Sequence, residues 1–446
     1  MTNTAYCEVP GSDIPRGTMA RSARIAALPL AFGGRAVAGW GRRIAGADAE
    51  QVSASATERN AEQLFAVLGQ LKGGAMKVGQ ALSVYDSMIP AEIAEPYKRA
   101  LAKLQSAGPT MPVRAVHQVL AQQLGRDWQR RFRSFDDTPA AAASVGQVHH
   151  AVWADGREVA VKVQYPGAGQ ALDADLRTLE RFSTLFTLIV PALDAKALMR
   201  ELRDRMLDEL DYCAEADRQR RFAAAYAGDP YLYVPAVVAS APKVIVSEWL
   251  DGVPLGPMTA RPAGDAVEQA RRDEWAHTII ETMFSSPARV GMLHADPHPG
   301  NFMVLSDGRL AMIDFGAVAE LPDGFPPVLA RILRHVADAE PAKMMRLMLA
   351  EGFVGGDVPA EDVLRYIGAL ADPLRTDTFR FHRAWMAQQG SRVMDLRGRA
   401  FRETGRSLAL PAQHMLIVRV LSGWTNILAQ LDCTVAARAL ADEWLF

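Results

Sequence analysis

The sequence predicts an α+β fold in two parts, a small mixed part at residues 113–251 and a helical part at residues 252–446. In the mixed part, strand-forming runs at 148–153 and 158–164 flank an Asp-Gly turn, which is typical of a β-hairpin. The helical part begins with a long helix predicted at 266–285, and the chain from about residue 326 onwards is also predicted to be helical. A Pro- and Gly-rich stretch between the strands and these helices predicts a link between two lobes.

Composition and charge indicate a globular protein with a sizeable core. Apolar residues make up 49% of the chain and charged residues 22%. The formal net charge of −2 gives no overall attraction to nucleic acid. The three cysteines form no metal or redox motif, and the sequence shows neither a signal-peptide pattern nor an apolar run of membrane-spanning length. We therefore expect a cytoplasmic protein with no nucleic-acid partner.

The N-terminal region is predicted to be disordered over residues 1–15 and to form a helical extension over residues 16–112. Its first part, residues 16–43, has six arginines and no acidic residue, interleaved with apolar side chains. Such a segment is typical of helices that lie on an anionic membrane surface, so peripheral membrane contact is one interpretation. The other is a helix packed on the domain with its arginines in water, and both interpretations stay open.

The same extension carries the string Lys77-Val-Gly79-Gln80 inside a helix predicted at 56–85. Lys77 and Gln80 lie three residues apart, so they share one face of that helix. Taken alone, such a pair is typical of a solvated helix surface. The string therefore has no functional assignment until it is matched to a known family.

An alanine-rich stretch at 140–147 lies between a helix predicted at 113–124 and the hairpin. Kinases carry a glycine-rich phosphate cover at this position. Alanine keeps the close backbone approach of glycine but gives up positive backbone torsions. The stretch is either a nucleotide-binding loop or a connector without a ligand role. Its candidate nucleotide-binding residues are Ala141, Ala142, Ala143, Ser144, Val145 and Gly146.

Lys162 is the charged residue of the second hairpin strand. Three valines of this strand face one way, and Lys162 faces the other way. A lysine in a core strand needs a carboxylate or phosphate partner to offset its desolvation. We expect that partner to be Glu215, at the end of an acidic stripe on a helical segment predicted at 171–226, although a solvated acidic face is the simpler interpretation. The stripe consists of Glu201, Asp204, Asp208, Asp211 and Glu215.

The junction between the two parts follows a third strand predicted at 244–246. Glu248 lies two residues after it and is counted with the candidate nucleotide-binding residues. Residues 252–264 are rich in Pro and Gly and are predicted to link the two lobes. After the helix at 266–285, a second hairpin is predicted from strands at 302–305 and 310–313.

The strongest functional signal spans residues 293–316. The spacing His294-x-Asp296-x4-Asn301, followed by Asp314-Phe-Gly, is that of the catalytic loop and metal-binding triplet of kinases. Either half alone is a weak signal. Both halves in this order, after a strand lysine and a helix glutamate, are hard to obtain by chance.

Each of these residue types suits one task in phosphoryl transfer, which depends on positioning and on neutralising phosphate charge. Lys162 would bind the α- and β-phosphates and be held by Glu215. Asn301 and Asp314 offer oxygen ligands, which Mg2+ prefers. Asp296 would accept or orient the proton of an attacking hydroxyl or water.

At this point the chain resembles the UbiB/AarF family of atypical protein-kinase-like (ABC1-type) proteins over about residues 14–320. The string His-Ala-Asp-Pro-His-Pro-Gly-Asn is particularly specific to that family. The matching segments are Lys77-Val-Gly-Gln80, Ala141-Ala-Ala-Ser144, Gly146-Gln-Val-His149, Val159-Ala-Val-Lys162, Glu209-Leu-Asp211-Tyr-Cys-Ala-Glu215, His294-Ala-Asp-Pro-His-Pro-Gly-Asn301 and Asp314-Phe-Gly316.

The resemblance implies a bilobal protein-kinase-like fold with family-specific N-terminal helices, an N-lobe at 113–251 and a helical C-lobe at 252–446. It implies ATP or ADP as ligand, with Mg2+ or Mn2+. It also implies that the segment with Lys77, Gly79 and Gln80 folds over the active site. With Glu209 and Asp211, that segment would fill the space where a protein substrate docks. The lack of an Ala-Pro-Glu after Asp-Phe-Gly agrees with this exclusion of protein substrates.

Three functional hypotheses follow from these features. The first is an atypical kinase or ATPase that acts on an unidentified small-molecule or lipid acceptor in lipid or isoprenoid-quinone metabolism. The second is a nucleotide-switched binding scaffold with little catalysis. The third, a small-molecule kinase like those for choline or aminoglycosides, leaves the string at 77–80 unexplained. Residues 411–446 carry charges where many bacterial relatives have spanning helices, so no integral anchor is expected there. The sequence gives no signal for the oligomeric state.

Overall fold

The computed structural model describes residues 110–143, 145–170, 209–355, 358–394, 404–405 and 407–446. The predictions for the N-terminal extension lie outside these described residues, and with them the string at 77–80. The same holds for the predicted helix over 171–208 with three of its stripe acids, and for residue 144.

The N-lobe is built on five antiparallel strands: β1 (Phe132–Ala143), β2 (Gly146–Trp153), β3 (Glu158–Gln164), β5 (Val237–Ala241) and β6 (Val244–Glu248). They lie in the order β1-β2-β3-β6-β5. Helix α1 (Val113–Leu124) packs on one face of this sheet and α2 (Tyr212–Ala225) on the other. The hairpin and the third strand predicted from the sequence are confirmed, whereas β1 and β5 were not predicted.

The two faces of β3 separate as the alternation predicts. Val159, Val161 and Val163 are fully buried in the cluster formed with α1. Lys162 pairs in register with Ile245, which packs against α2. The valine face and the Lys162 face of the sheet therefore meet different helices, and only the Lys162 face meets α2.

The alanine-rich stretch, which the sequence left open as a nucleotide-binding loop or a connector without a ligand role, is partly a strand. Its first residues form the end of β1, where Ala141, Ala142 and Ala143 pair with β2 residues from Val148 to Gly146. A run of alanines has no alternation of polarity and a weak strand propensity, so the sequence carries no strand signal there. Pairing with the neighbouring strand overrides that weak propensity and makes the stretch part of a β1–β2 hairpin.

The second sheet contains β4 (Leu232–Tyr233), β7 (Gly252–Pro254), β9 (Phe302–Leu305) and β10 (Leu310–Met312), in the order β4-β10-β9-β7. The predicted hairpin of β9 and β10 is confirmed. The predicted linker contains β7 and a short helix, α3 (Gly256–Thr259). Two smaller pairs join β8 (Met292–His294) to β11 (Val318–Glu320), and β12 (Phe379–Phe381) to β13 (Cys433–Val435).

Helix α4 (Ala266–Val290) runs through the C-lobe core. It begins at Asp265, whose side chain accepts a hydrogen bond from the Glu268 N–H, and ends at Gly291 with a φ of 71°. The predicted end at residue 285 is too early, because the helix continues through Pro287 in its last turn.

In the described part of the C-lobe, six further helices surround the same core: α5 (Pro327–Ala337), α6 (Pro341–Ala350), α7 (Ala360–Ile367), α8 (Arg383–Met394), α9 (Ala412–Leu431) and α10 (Ala437–Trp444). Across the described residues, every helix is too short or too polar to cross a membrane. The predicted α+β class and the predicted division into a sheet-based lobe and a helical lobe are confirmed.

Candidate active site

Two loops of the C-lobe are held side by side by backbone pairing. His294 in β8 pairs with Val318 in β11, and the Ala295 N–H donates to the Ala317 carbonyl at 3.0 Å. The His294 Nε2–H donates to the Asp314 carbonyl at 2.7 Å. The loop that carries Asp296 is therefore fixed against the Asp-Phe-Gly segment by hydrogen bonds that do not involve their acidic side chains.

Asp296 and Asn301 form a local pair within the first loop. The Asn301 side-chain Nδ2 donates to the Asp296 carbonyl at 2.9 Å and to its carboxylate Oδ2 at 3.1 Å. The Asn301 backbone carbonyl accepts from the Ile313 N–H at 3.0 Å, directly before Asp314. Because the amide nitrogen is used in this way, the Asn301 amide presents its oxygen as the remaining acceptor.

Asp314 lies between its own loop and the N-lobe. Its Oδ1 accepts from the Gly316 N–H at 2.9 Å, and its Oδ2 lies 3.6 Å from the Lys162 ammonium. Asp314 and Asn301 offer a carboxylate and an amide oxygen on adjoining loops. These are the described residues that could hold a hard divalent cation, because Mg2+ sites use one or two protein oxygens and leave other positions to substrate phosphates.

Helix α2 contacts the Asp-Phe-Gly segment at two further points. Phe315 is fully buried, with ring centroids 5.2 Å from Phe222 of α2 and 6.0 Å from His294. The Arg218 guanidinium donates to the Gly316 carbonyl at 2.9 Å. The position of α2 is therefore coupled to the loop that carries Asp314.

Lys162 and Glu215 are in direct contact, as the sequence led us to expect. The Lys162 ammonium donates to the Glu215 carboxylate at 2.6 Å, and their side chains are 19% and 4% exposed. Burial alone would lower the pKa of Lys162, but the charges of Asp314 and Glu215 raise that pKa well above its ordinary value. Burial raises the pKa of Glu215, while the Lys162 charge opposes that rise. Lys162 is therefore positively charged at the place where β3, α2 and the Asp-Phe-Gly segment meet.

The alanine-rich hairpin ends above this cluster. Ala141 and Ala142 are exposed, whereas Val145 and Gly146 are buried. A Cβ at Gly146 would lie 2.3 Å from the Val163 carbonyl and 2.9 Å from the Tyr212 hydroxyl. Only glycine fits there, because both neighbours lie closer than a Cβ atom tolerates.

Tyr212 is a site residue that the sequence reasoning missed. It is fully buried, and its ring centroid lies 5.2 Å from the Lys162 ammonium. Its hydroxyl has no hydrogen-bond partner among the described residues, and burial raises its pKa. The available signal was its place directly after Asp211, in the string that ends at Glu215.

The two acids assigned to substrate exclusion have clear positions in the structure. Asp211 caps α2, and its carboxylate accepts from the Cys213 and Ala214 N–H groups at 3.1 and 3.0 Å. Glu209 is buried, and its Cγ lies 3.4 Å from the place of a Cβ on Gly316. Both acids lie beside the active site, and their role in excluding substrates stays a prediction.

Glu248 is placed away from the Lys162 cluster. In register it pairs with Val159, on the opposite face of the sheet from Lys162. Its carboxylate accepts from the Tyr233 hydroxyl at 2.6 Å and from the Ala236 N–H at 3.3 Å. A nucleotide contact at this position would therefore use the backbone of Glu248, because its side chain is already engaged.

Comparison with known proteins gives consistent matches. Residues 103–348 match the family model described as the ABC1 atypical kinase-like domain. The mitochondrial atypical kinase coq-8 of Caenorhabditis elegans is 30% identical over 67% of this chain and 40% of its own length. The mitochondrial atypical kinase COQ8 of Schizosaccharomyces pombe is 30% identical over 72% of this chain and 52% of its own. The chain thus spans about half or less of these relatives.

A solved structure, the complex of Rv3197 with erythromycin from Mycobacterium tuberculosis, is also similar. It is 43% identical, covers 89% of this chain and 98% of its own, and superposes with a TM-score of 0.66. The family match and this structural match confirm the predicted bilobal kinase-like fold.

Proposed function

The chain belongs to the ABC1 atypical kinase-like family, as the resemblance to UbiB/AarF proteins predicted, and we propose that it binds ATP or ADP with Mg2+ and transfers or hydrolyses the γ-phosphate. Membership of the family and the names of its relatives support an enzyme of the phosphotransferase type. The observation that carries the proposal is the cluster in which Lys162 contacts Glu215 at 2.6 Å and lies 3.6 Å from Asp314.

The proposed division of labour follows from this geometry. Lys162 offers a fixed positive charge to the phosphates, and Glu215 holds its ammonium in place. Asn301 and Asp314 would hold the divalent cation, which when bound supplies neutralisation of the phosphate charge. Asp296, oriented by the Asn301 amide, would accept the proton of an acceptor hydroxyl or of water.

For the acceptor we propose a small molecule or lipid, with protein substrates excluded, as the UbiB/AarF resemblance implies. Glu209 and Asp211 line the same end of α2 as Glu215, which is where such exclusion would act. A role in lipid or isoprenoid-quinone metabolism, and membrane contact through residues 16–43, remain parts of this proposal.

The first test is Asp314→Asn. Because the substitution removes a charge next to the phosphates but keeps the side-chain shape, we expect ATP turnover to fall by at least about 100-fold. Mg2+-dependent turnover is measured with lipid vesicles present. The matched control is Asp307→Asn, an exposed acid in the β9–β10 turn whose carboxylate, within the described part of the chain, bonds only locally, to Arg309.

Unchanged turnover in Asp314→Asn would contradict the proposed chemistry. Nucleotide binding by the unaltered protein without any turnover would instead favour the switched scaffold.

A second candidate function is the binding of a macrolide. It is favoured by the 43% identity, over 98% of its chain, of the structure that holds erythromycin. Calorimetric titration of erythromycin, with and without ATP, tests it. Binding that Asp314→Asn leaves intact would place the macrolide site apart from the phosphoryl-transfer cluster, and absence of binding would remove this candidate.

A further inference from the structure

Helix α9 contacts the catalytic loop from a part of the chain beyond the family match, which ends at residue 348. Trp424, in the second half of the helix, is fully buried. Its indole Nε1–H donates to the His294 carbonyl at 3.3 Å. Its ring centroid lies 5.8 Å from that of His294 and 5.6 Å from that of Phe302. Trp424 therefore packs on residues that directly precede and follow the loop from 295 to 301.

The preceding residue, Gly423, brings the helix backbone against the loop itself. A Cβ at this position would lie 2.4 Å from Cγ and 3.4 Å from Cβ of Pro297. The Pro297 ring is closed on its own backbone, so it cannot swing away as a flexible side chain would. Any side chain at 423 must displace either the helix or the loop.

Pro297 directly follows Asp296, whose carboxylate is bonded to the Asn301 amide. A displacement of Pro297 would therefore also shift the Asp296 carboxylate, which is the group proposed to accept the proton. A misplacement of about 1 Å at a reacting group can cost about 100-fold in rate. Gly423 and Trp424 contact the catalytic loop and the residues that flank it, all in the C-lobe. Lys162 is held separately by Glu215, and both of these residues belong to the N-lobe.

We propose that Gly423 and Trp424 are positioning residues for Asp296, and that α9 acts as the rear support of the catalytic loop. The proposal rests on the proposed phosphoryl-transfer function. It separates two tasks in the molecule: α2 and β3 hold the nucleotide-binding charges, and α9 sets the place of the proton-accepting carboxylate.

The test is Gly423→Ala, read as a split between kcat and nucleotide affinity. In an exposed helix this change would stabilise the helix, since alanine is the better helix former. Here we expect kcat for ATP turnover to fall at least about 10-fold, with the Kd for ATP changed by less than about 2-fold, because the displaced group is Asp296 and not Lys162. Thr425→Ala is the matched control, since among the described residues its hydroxyl bonds only within α9, to the Leu421 carbonyl.

A double-substitution cycle sharpens the test. Pro297→Ala removes the atom that a side chain at 423 would strike, so Gly423→Ala should cost far less in the Pro297→Ala background than in the unaltered chain. Trp424→Phe keeps the ring but removes the indole N–H, and we expect a smaller fall in kcat, about 3-fold, from it.

The outcomes separate this proposal from the function on which it rests. Equal kcat in Gly423→Ala and the unaltered protein, or a Kd that changes as much as kcat, overturns the positioning role while leaving the function standing. If the unaltered protein shows no turnover, the function fails, and hydrogen exchange of the 292–301 amides decides the positioning role. Faster exchange in Gly423→Ala supports it, and unchanged exchange overturns it.

Discussion

The two faces of the N-lobe sheet each bury a polar network, and the networks differ in kind. On the Lys162 face, an ammonium lies between the carboxylates of Glu215 and Asp314. On the valine face, the Gln147 amide oxygen accepts from the Met111 N–H at 2.8 Å, and its nitrogen donates to His149 Nε2 at 2.8 Å. The His149 Nδ1–H then donates to the Asp136 carbonyl at 2.8 Å.

The difference shows which network is available to a ligand. The valine-face network is neutral and closed, since Gln147 is 1% exposed, His149 is 0% exposed, and burial lowers the pKa of His149. The Lys162 network is charged and open, with Lys162 19% and Asp314 30% exposed. A closed neutral network fixes structure, whereas an open charged one can exchange a partner for a phosphate.

The two faces also share the residues of one segment that matches the family, Gly146-Gln-Val-His149. Gly146, Gln147, Val148 and His149 alternate between the faces, because β2 is a regular strand here. Gly146 approaches Tyr212 on the Lys162 face, while Gln147 and His149 join the closed network. Resemblance groups these residues together, but the sheet assigns them to two different tasks.

The largest effect is expected from Lys162→Met. The substitution removes the charge that faces the phosphates and leaves Glu215 buried without its partner, so ATP turnover should fall at least about 100-fold. Chemical denaturation should show a loss of about 3 kcal/mol in the free energy of unfolding. Lys243→Met, an exposed lysine of the same lobe, serves as the control. Retained turnover would remove the Lys162 face from the proposed chemistry.

His149→Phe tests the closed network with a smaller effect. The aromatic ring that stacks on Phe135 is kept, with the original centroids 5.1 Å apart, but the Gln147 amide and the Asp136 carbonyl lose their partner. We expect the free energy of unfolding to fall by about 2 kcal/mol, while turnover per folded molecule is unchanged. Urea denaturation and an activity assay on the same sample measure both quantities. A loss of turnover beyond the loss of folded protein would show that the valine face also serves the site.

The free energy of unfolding should depend on pH through the protonation of His149. Burial lowers its folded-state pKa below the ordinary 6.5, so in acid the unfolded state binds more protons. The contribution to stability is therefore complete above pH 6.5 and is lost as the pH falls below that value. At pH 5.5 the loss is at most about 1.4 kcal/mol relative to pH 7.5. Denaturation curves at both pH values, for the unaltered protein and for His149→Phe, isolate the contribution of His149. If the free energy of unfolding falls by the same amount in the two proteins between pH 7.5 and pH 5.5, His149 is not the source of the acid sensitivity.

The sequence could predict what depends on local pattern and simple electrostatics. Alternation placed Lys162 opposite the valines, and the cost of burying its charge required a carboxylate or phosphate partner. In the structure that partner is Glu215. The sequence could not predict the last residues of β1, Ala140–Ala143, because a run of alanines carries no periodic signal. Nor could it predict the contact of Trp424 with His294, which joins residues 130 positions apart and depends on packing of the completed C-lobe.

Tyr212→Phe should give the smallest effect. It tests whether the Tyr212 hydroxyl belongs to the polar network on the Lys162 face. The buried Tyr212 hydroxyl has no partner among the described residues, so removing it should raise the free energy of unfolding by about 1 kcal/mol and leave turnover unchanged. Tyr226→Phe is the matched opposite, because the Tyr226 hydroxyl is hydrogen-bonded to Ser285 at 2.9 Å, and its removal should cost about 1 kcal/mol. Thermal or urea denaturation of the two variants gives the sign directly.

A loss of stability in Tyr212→Phe as large as that in Tyr226→Phe would mean that a segment outside the described residues, or a bound nucleotide, supplies a partner to the Tyr212 hydroxyl. Repeating the denaturation with ATP present separates these two sources, because a nucleotide partner would make the loss depend on the ATP concentration. With either source of the partner, the Tyr212 hydroxyl would belong to the polar network around Lys162. It would then have the role on the Lys162 face that the His149 imidazole has on the valine face.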